Sequence, residues 1–178
     1  MEEVNLNNKL FEKFISQEEI GEIINILAKK INSSKLNNPI FLAILNGSFL
    51  FAADIMRKIT IPNAEISFIK LSSYSGTKST GLVNELIGIN KDISKRNIVV
   101  LEDIIDTGNT LEKIIFMLKE NNVSKIKIAT LLYKPEAYTK KIKIDFVGKE
   151  ISNDFVVGYG LDYDEIGRNL PHIYKLKK

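Results

Sequence analysis

The sequence predicts an α/β fold: a parallel sheet flanked by helices. Three observations carry this expectation. Short apolar runs rich in β-branched residues recur at Ile40–Leu45, Ile66–Tyr74, Ile98–Leu101 and Lys125–Tyr133. Such runs suit strands buried on both faces. Between them lie stretches with helical spacing, and the alternation of the two argues for parallel strands joined by crossover helices. Finally, small or charged residues follow the runs directly: Asn46-Gly47-Ser48, Glu102-Asp103 and Lys134. In an open parallel sheet the carboxyl ends of the strands share one edge, where ligands bind. Three separate segments are therefore expected to converge on one site.

The elements justify themselves in order. Ser16 with Glu19 has capping-box spacing, and Ile20, Ile23, Ile24, Leu27 and Ile31 then repeat at helical intervals. Ile40–Leu45 is a short strand, followed by Asn46-Gly47-Ser48 and a helix expected to run to about Ile59. Ile66–Tyr74 is a further strand. After it, Ser75-Gly76-Thr77-Lys78-Ser79-Thr80-Gly81 is polar and glycine-containing, as in a mobile loop. Ile98–Leu101 ends in the carboxylate pair Glu102-Asp103, with a third carboxylate at Asp106. Thr107-Gly108-Asn109-Thr110 then opens a helix with Leu111, Ile114, Ile115 and Leu118 on its apolar face, ending near Asn121. Lys125–Tyr133 is closed by Lys134-Pro135, and Phe146, Phe155–Tyr159 and the tail add shorter strand-like pieces.

Composition limits the chemistry. The 178 residues suffice for one domain with a real core. A hydrophobic content of 44% and mean hydropathy near zero fit a globular chain. No run approaches the ~18 apolar residues of a membrane span, and Met-Glu-Glu-Val-Asn lacks the features of a signal peptide. Together with the absence of cysteine, this leads to a cytoplasmic address as the expectation, with no disulfide or thiolate site. The net charge of +3 is mild, arginine occurs only at 57, 96 and 168, and Lys140-Lys141-Ile142-Lys143 reads as a solvated edge, so neither nucleic acid nor membrane is an expected partner. With His172 the sole histidine, acid–base work falls to carboxylates or lysines.

The densest chemistry lies in residues 97–111. A helix N-terminus beside carboxylates at a strand end offers N–H groups and a dipole to a phosphate, and the carboxylates offer acceptors to sugar hydroxyls or a magnesium ion. Glu102-Asp103-Ile104-Ile105-Asp106-Thr107-Gly108 resembles the phosphoribosyl pyrophosphate (PRPP) motif of the type I phosphoribosyltransferases, in its hypoxanthine-guanine branch. The resemblance extends from Ile40 to about His172. It implies the type I fold: one domain, 1–178, with a parallel core over about 36–145 and a small hood from the N-terminal segment and about 146–178. It also implies Mg2+ as cofactor and a homodimer or homotetramer.

The resemblance assigns roles residue by residue. Asp106 is implied as the acid–base group near N7 of the purine. Glu102 and Asp103 hold the ribose hydroxyls, directly or through magnesium. Asp106, Thr107, Gly108, Asn109 and Thr110 wrap the 5-phosphate. Asn46 and Gly47 belong to a first loop that binds pyrophosphate, whose opening peptide can be cis; relatives often carry a cation where Asn46 stands, and many carry Lys where Asn109 stands. Ser73 and Tyr74 begin a lid over 73–84 that excludes water, and Arg168 contacts pyrophosphate, preceded here by Gly167 where an aromatic residue is usual. Lys134 donates to O6 of a 6-oxopurine, since an ammonium offers only donors. Phe155 stacks on the base, the Val156 backbone reads its edge, and Asp162 lies near C2 and a second magnesium. The implied reaction joins hypoxanthine or guanine to PRPP, giving IMP or GMP and pyrophosphate. Alternatives are a xanthine-preferring enzyme or a non-catalytic regulator of this fold that binds nucleic acid.

Overall fold

The computed structural model describes residues 2–71, 85–87 and 92–177. The expected lid, with Ser73 and Tyr74, lies outside the described residues.

Among the described residues, ten strands and three helices follow one another as β1 (Glu3–Leu6), β2 (Lys9–Ile15), α1 (Gln17–Asn32), β3 (Ile40–Ile44), α2 (Phe49–Met56), β4 (Glu65–Leu71), β5 (Glu85–Ile87), β6 (Asn97–Ile105), α3 (Asn109–Glu120), β7 (Lys125–Tyr133), β8 (Phe146–Glu150), β9 (Val156–Val157) and β10 (Ile173–Leu176). The main sheet has the order β5-β4-β3-β6-β7-β8. Its five strands from β4 to β8 run parallel, and β5 closes one edge antiparallel to β4. The type I α/β core expected from the sequence is thus present.

Period-2 alternation divides the sheet between two apolar layers. Phe41, Ala43, Val99, Leu101 and Ala129 face α1 and α2. Ile40, Leu42, Ile98, Val100 and Ile128 face the Leu111, Ile114, Ile115 and Leu118 side of α3. The connection β3-α2-β4 leaves β3 on one flank, while β6-α3-β7 leaves on the other and over the opposite face. Strand order therefore reverses between β3 and β6, and the crevice at their carboxyl ends is the switch point where such sheets bind ligands.

The terminal segments form a second, antiparallel sheet of order β1-β2-β10-β9. Its β1-β2 hairpin carries no assignment in the sequence reading, yet a signal was present. Asn7 and Asn8 both adopt positive φ, 45° and 62°, and Leu6 pairs with Lys9 across them. A two-residue hairpin turn with both φ positive favours asparagine. Phe11, Val157 and Tyr174 fill the core beneath this sheet.

Three boundaries differ from expectation. Helix α2 stops at Met56 rather than near Ile59, because Lys58 and Ile59 donate to the carbonyls three residues back and Pro62 follows. Strand β6 does not end at Leu101 but continues to Ile105, held by β7 through the Ile105–Tyr133 pair. Strand β8, expected in the hood from about 146, pairs with β7 and extends the main sheet to Glu150. The Ser16 cap, by contrast, is formed: the Glu19 N–H donates to Ser16 Oγ at 3.2 Å, while the Glu19 carboxylate pairs with Lys149 at 2.8 Å.

Candidate active site

The site is built where β3 stops and β6 continues. Pairing between them ends at Ala43–Leu101, so Glu102 and Asp103, although inside β6, have no β3 neighbour. The chain leaving β3 turns away through Leu45–Ser48. Its first peptide, Leu45–Asn46, is cis. Ser48 is fully buried and donates through Oγ to the Ile44 carbonyl, which closes the turn into α2.

Gly47 is the meeting point of three segments. A Cβ there would lie 1.8 Å from Asp103 Oδ2, so the loop packs its backbone directly on the carboxylate. From the hood side, a Cβ on Gly160 would lie 2.1 Å from the Gly47 carbonyl oxygen, and Gly160 has φ +97°. Neither position has room for a side chain.

Two cavities flank this point. The larger, about 290 Å³, is lined by Asn46, Gly47, Glu102, Asp103, Thr110, Asp162 and Arg168, among others. The smaller, about 90 Å³, is wrapped by residues 104–111 together with Glu102. It is closed by the start of α3, whose first N–H groups have no acceptor within the helix. Gly108 enters that helix in the left-handed region, φ +83°, and its missing side chain leaves room for Tyr138 and Lys140. Thr139 donates from N and Oγ1 to the Thr107 carbonyl, at 3.3 and 3.2 Å, and Lys140 pairs with Glu112 on α3 at 2.7 Å. Lys140, read from sequence as part of a solvated edge, is thus a buttress of the small cavity.

The carboxylates are half-buried at the cavity floor. Glu102 Oε2 is buried and accepts no hydrogen bond from any described residue. Burial, and then the neighbouring Asp103 charge, push the Glu102 carboxyl well above the usual range. Burial also lifts Asp103 to about 6, against the pull of the Ile104 and Asp103 N–H groups and the Arg168 charge. Both are acceptors in want of a proton, a cation or a hydroxyl donor.

Arg168 lies behind them. It pairs with Asp162 at 2.8 Å and Glu165 at 3.0 Å, and donates to the Gly160 carbonyl at 2.9 Å. Asp162 also accepts from the Glu165 N–H at 2.9 Å. Gly167 has φ +91°, and a Cβ there would press on Leu6 at 2.9 Å, which favours glycine before the arginine.

Lys134 and Asp106 meet as an ion pair, Nζ to Oδ2 3.0 Å, with the lysine buried and the aspartate half-exposed. Sequence alone assigns the two residues separate tasks; their pairing is a product of the fold. Neither of the two cavities is lined by Lys134, Phe155 or Val156. Phe155 is 47% exposed, and its ring packs against Phe11 and edge-on to Tyr163 at 5.7 Å. Val156 is buried in β9.

Residues 15–164 match the phosphoribosyl transferase domain. The chain belongs to the phosphoribosyltransferase family. It is 46% identical over 159 residues to the hypoxanthine phosphoribosyltransferase of Buchnera aphidicola subsp. Schizaphis graminum, which covers 89% of this chain and 87% of that one. Identity to the hypoxanthine-guanine phosphoribosyltransferase of Streptococcus pneumoniae is 41% over 175 residues, 97% of each chain. Among solved structures, the hypoxanthine phosphoribosyltransferase of Staphylococcus aureus superposes with TM-score 0.85 at 37% identity, covering 93% of this chain and 91% of that one.

One element of this phosphoribosyltransferase escaped the sequence reading. The Tyr159 hydroxyl donates to the Asp54 carboxylate, tying the segment after β9 to α2, the helix that leaves the Asn46–Gly47 loop. Burial, and then that carboxylate, raise the Tyr159 hydroxyl far above its ordinary value, so it remains a donor. The partners are 105 positions apart, and nothing local in either segment announces the contact.

Proposed function

We propose that this enzyme transfers the 5-phosphoribosyl group from PRPP to N9 of hypoxanthine or guanine, giving IMP or GMP and pyrophosphate, as a purine-salvage step. The observation that carries the reading is the pair of adjoining cavities at the switch point, with Glu102 shared between them. The small one suits the 5-phosphate: residues 106–110 line it, and a helix N-terminus of this kind offers N–H groups and a dipole to an anion. The large one suits ribose and pyrophosphate. Glu102 and Asp103 accept from the 2- and 3-hydroxyls, and Asn46 and Gly47 offer backbone to the leaving pyrophosphate.

The donor set also fits Mg2+. Glu102 carries an unsatisfied buried oxygen, and Asp103 and Asp162 share the same cavity. Among the described residues no three acidic or imidazole groups form a closed cage. Magnesium is commonly held by one or two carboxylates plus substrate phosphates. When bound, magnesium neutralises charge developing on pyrophosphate. Asp106 takes or shares the N7 proton as N9 attacks C1 of the ribose, and its Lys134 partner holds it in place while donating to O6. Phe155 offers an exposed ring face to the base, beside the Val156 backbone.

Product formation from PRPP and magnesium with hypoxanthine, guanine, xanthine, adenine and uracil, each alone, tests the proposal. IMP or GMP with none from adenine or uracil is expected. Preference for xanthine would reassign the base, and silence with every base would overturn the reading.

A further inference from the structure

The larger cavity has an unbalanced charge inventory. Five ionisable side chains line it: Glu102, Asp103, Asp162, Arg168 and Lys113. Arg168 is already engaged by two carboxylates and a carbonyl. Asn46, at the mouth of the pyrophosphate loop, brings no charge. Lys113 is different. It lies three residues after Thr110, on the same face of α3, and both line the cavity. It forms no ion pair or hydrogen bond with any described residue.

From this arrangement we infer that Lys113 is a pyrophosphate-binding residue, a second cation beside Arg168 for the leaving group of PRPP. The inference rests on the phosphoribosyl-transfer reading and deepens it. A multiply charged anion entering a cavity lined by three acids needs a mobile cation within reach. An ammonium on a long flexible stem at the first turns of α3 meets that need, and the helix dipole at the same terminus acts in the same direction. The exposed position of Lys113 in the free protein is what a residue awaiting its partner shows: it has no competing carboxylate to surrender.

The test is a calorimetric titration with pyrophosphate and magnesium, together with steady-state KM values for PRPP and for hypoxanthine. The proteins are wild type, Lys113→Ala, Lys113→Arg and Lys119→Ala, the last removing one charge from the same helix away from the cavity. Lys113→Ala should raise the pyrophosphate Kd and the PRPP KM about tenfold, as loss of one charge-assisted contact does. The hypoxanthine KM should stay within about twofold, Lys113→Arg should restore most of the loss, and Lys119→Ala should match wild type. Behaviour of Lys113→Ala indistinguishable from Lys119→Ala would overturn the inference. If wild type made no nucleotide, the reaction reading would fail, yet the pyrophosphate titration would still decide the role of Lys113.

Discussion

Replacing Asp103 by Asn should stabilise the ligand-free protein while abolishing its use of PRPP. Burial lifts the Asp103 carboxyl from 3.8 to about 6. Between those values the folded protein keeps a proton that the unfolded chain has lost, so stability falls as pH rises through this range. The favourable contribution is complete below the unfolded value and gone above the folded one. A rise of about two units corresponds to ~3 kcal/mol, an upper figure for the burden of this carboxylate above about pH 7. Glu102 adds a burden of the same sign, and losing the Asp103 charge relieves it too. An amide of the same shape cannot ionise. Asp103→Asn should therefore exceed wild type by up to ~3 kcal/mol near pH 8, or about 6–12 °C in Tm for a chain of this size. Thermal unfolding without ligand, compared near pH 8 and near pH 4.5, reads it directly. The gap should narrow to about 1 kcal/mol near pH 4.5 and close only below the unfolded value. An Asp103→Asn protein less stable than wild type near pH 8, or a gap independent of pH, would refute the reasoning.

Asp106→Asn should lower turnover by roughly 10²–10⁴-fold with little loss of PRPP affinity, and unchanged turnover in a rapid-quench assay would remove Asp106 from the mechanism. Lys134→Ala should raise the KM for hypoxanthine far more than that for PRPP; an equal loss in both would show that Lys134 does not read the base. Because Lys134 and Asp106 touch at 3.0 Å, the double variant should lose less than the two single losses combined, with a coupling of about 1–3 kcal/mol in kcat/KM. Gly47→Ala places a methyl 1.8 Å from Asp103 Oδ2 with Gly160 behind it, so the loop must shift. Loss of at least about 10²-fold in kcat/KM is expected, as for ångström-scale misplacement, with circular dichroism verifying that the fold persists.

The sequence discloses features whose signal is local and hides those made by distant pairing. The α1 cap and apolar stripe, and the strand Lys125–Tyr133, are visible because periodicity and punctuation lie within one window. The acidic strand-to-helix motif is visible for the same reason. Its true extent is not: β6 reaches Ile105 only because β7 continues to pair with it, a fact about a neighbour. The β1-β2 hairpin was legible in Asn7-Asn8, whose turn chemistry passes easily for ordinary polar loop. The contacts at Gly47 were not legible at all. Its confinement by Asp103 and Gly160 joins three segments separated by more than fifty residues each, and the Tyr159–Asp54 and Lys134–Asp106 contacts are likewise products of topology.

These distant contacts explain how the fold sustains buried acids that oppose its own stability. Glu102 and Asp103 lie on a strand paired on one side only at their level, and β7 alone holds that backbone in register. Asp103 is covered from above by the Gly47 backbone, so withdrawal toward solvent would require the loop after β3 to move. That loop is in turn pressed by Gly160, whose neighbour Tyr159 is tied to α2 through Asp54. The carboxylates are therefore clamped by elements anchored elsewhere, and their unfavourable ionisation is sustained by the apolar layers on both faces of the sheet. Sugar hydroxyls and a divalent ion are the groups that relieve it, since both favour the charged form. A free protein strained in this way favours a ligand that carries both at once, which is the role proposed above for PRPP with magnesium.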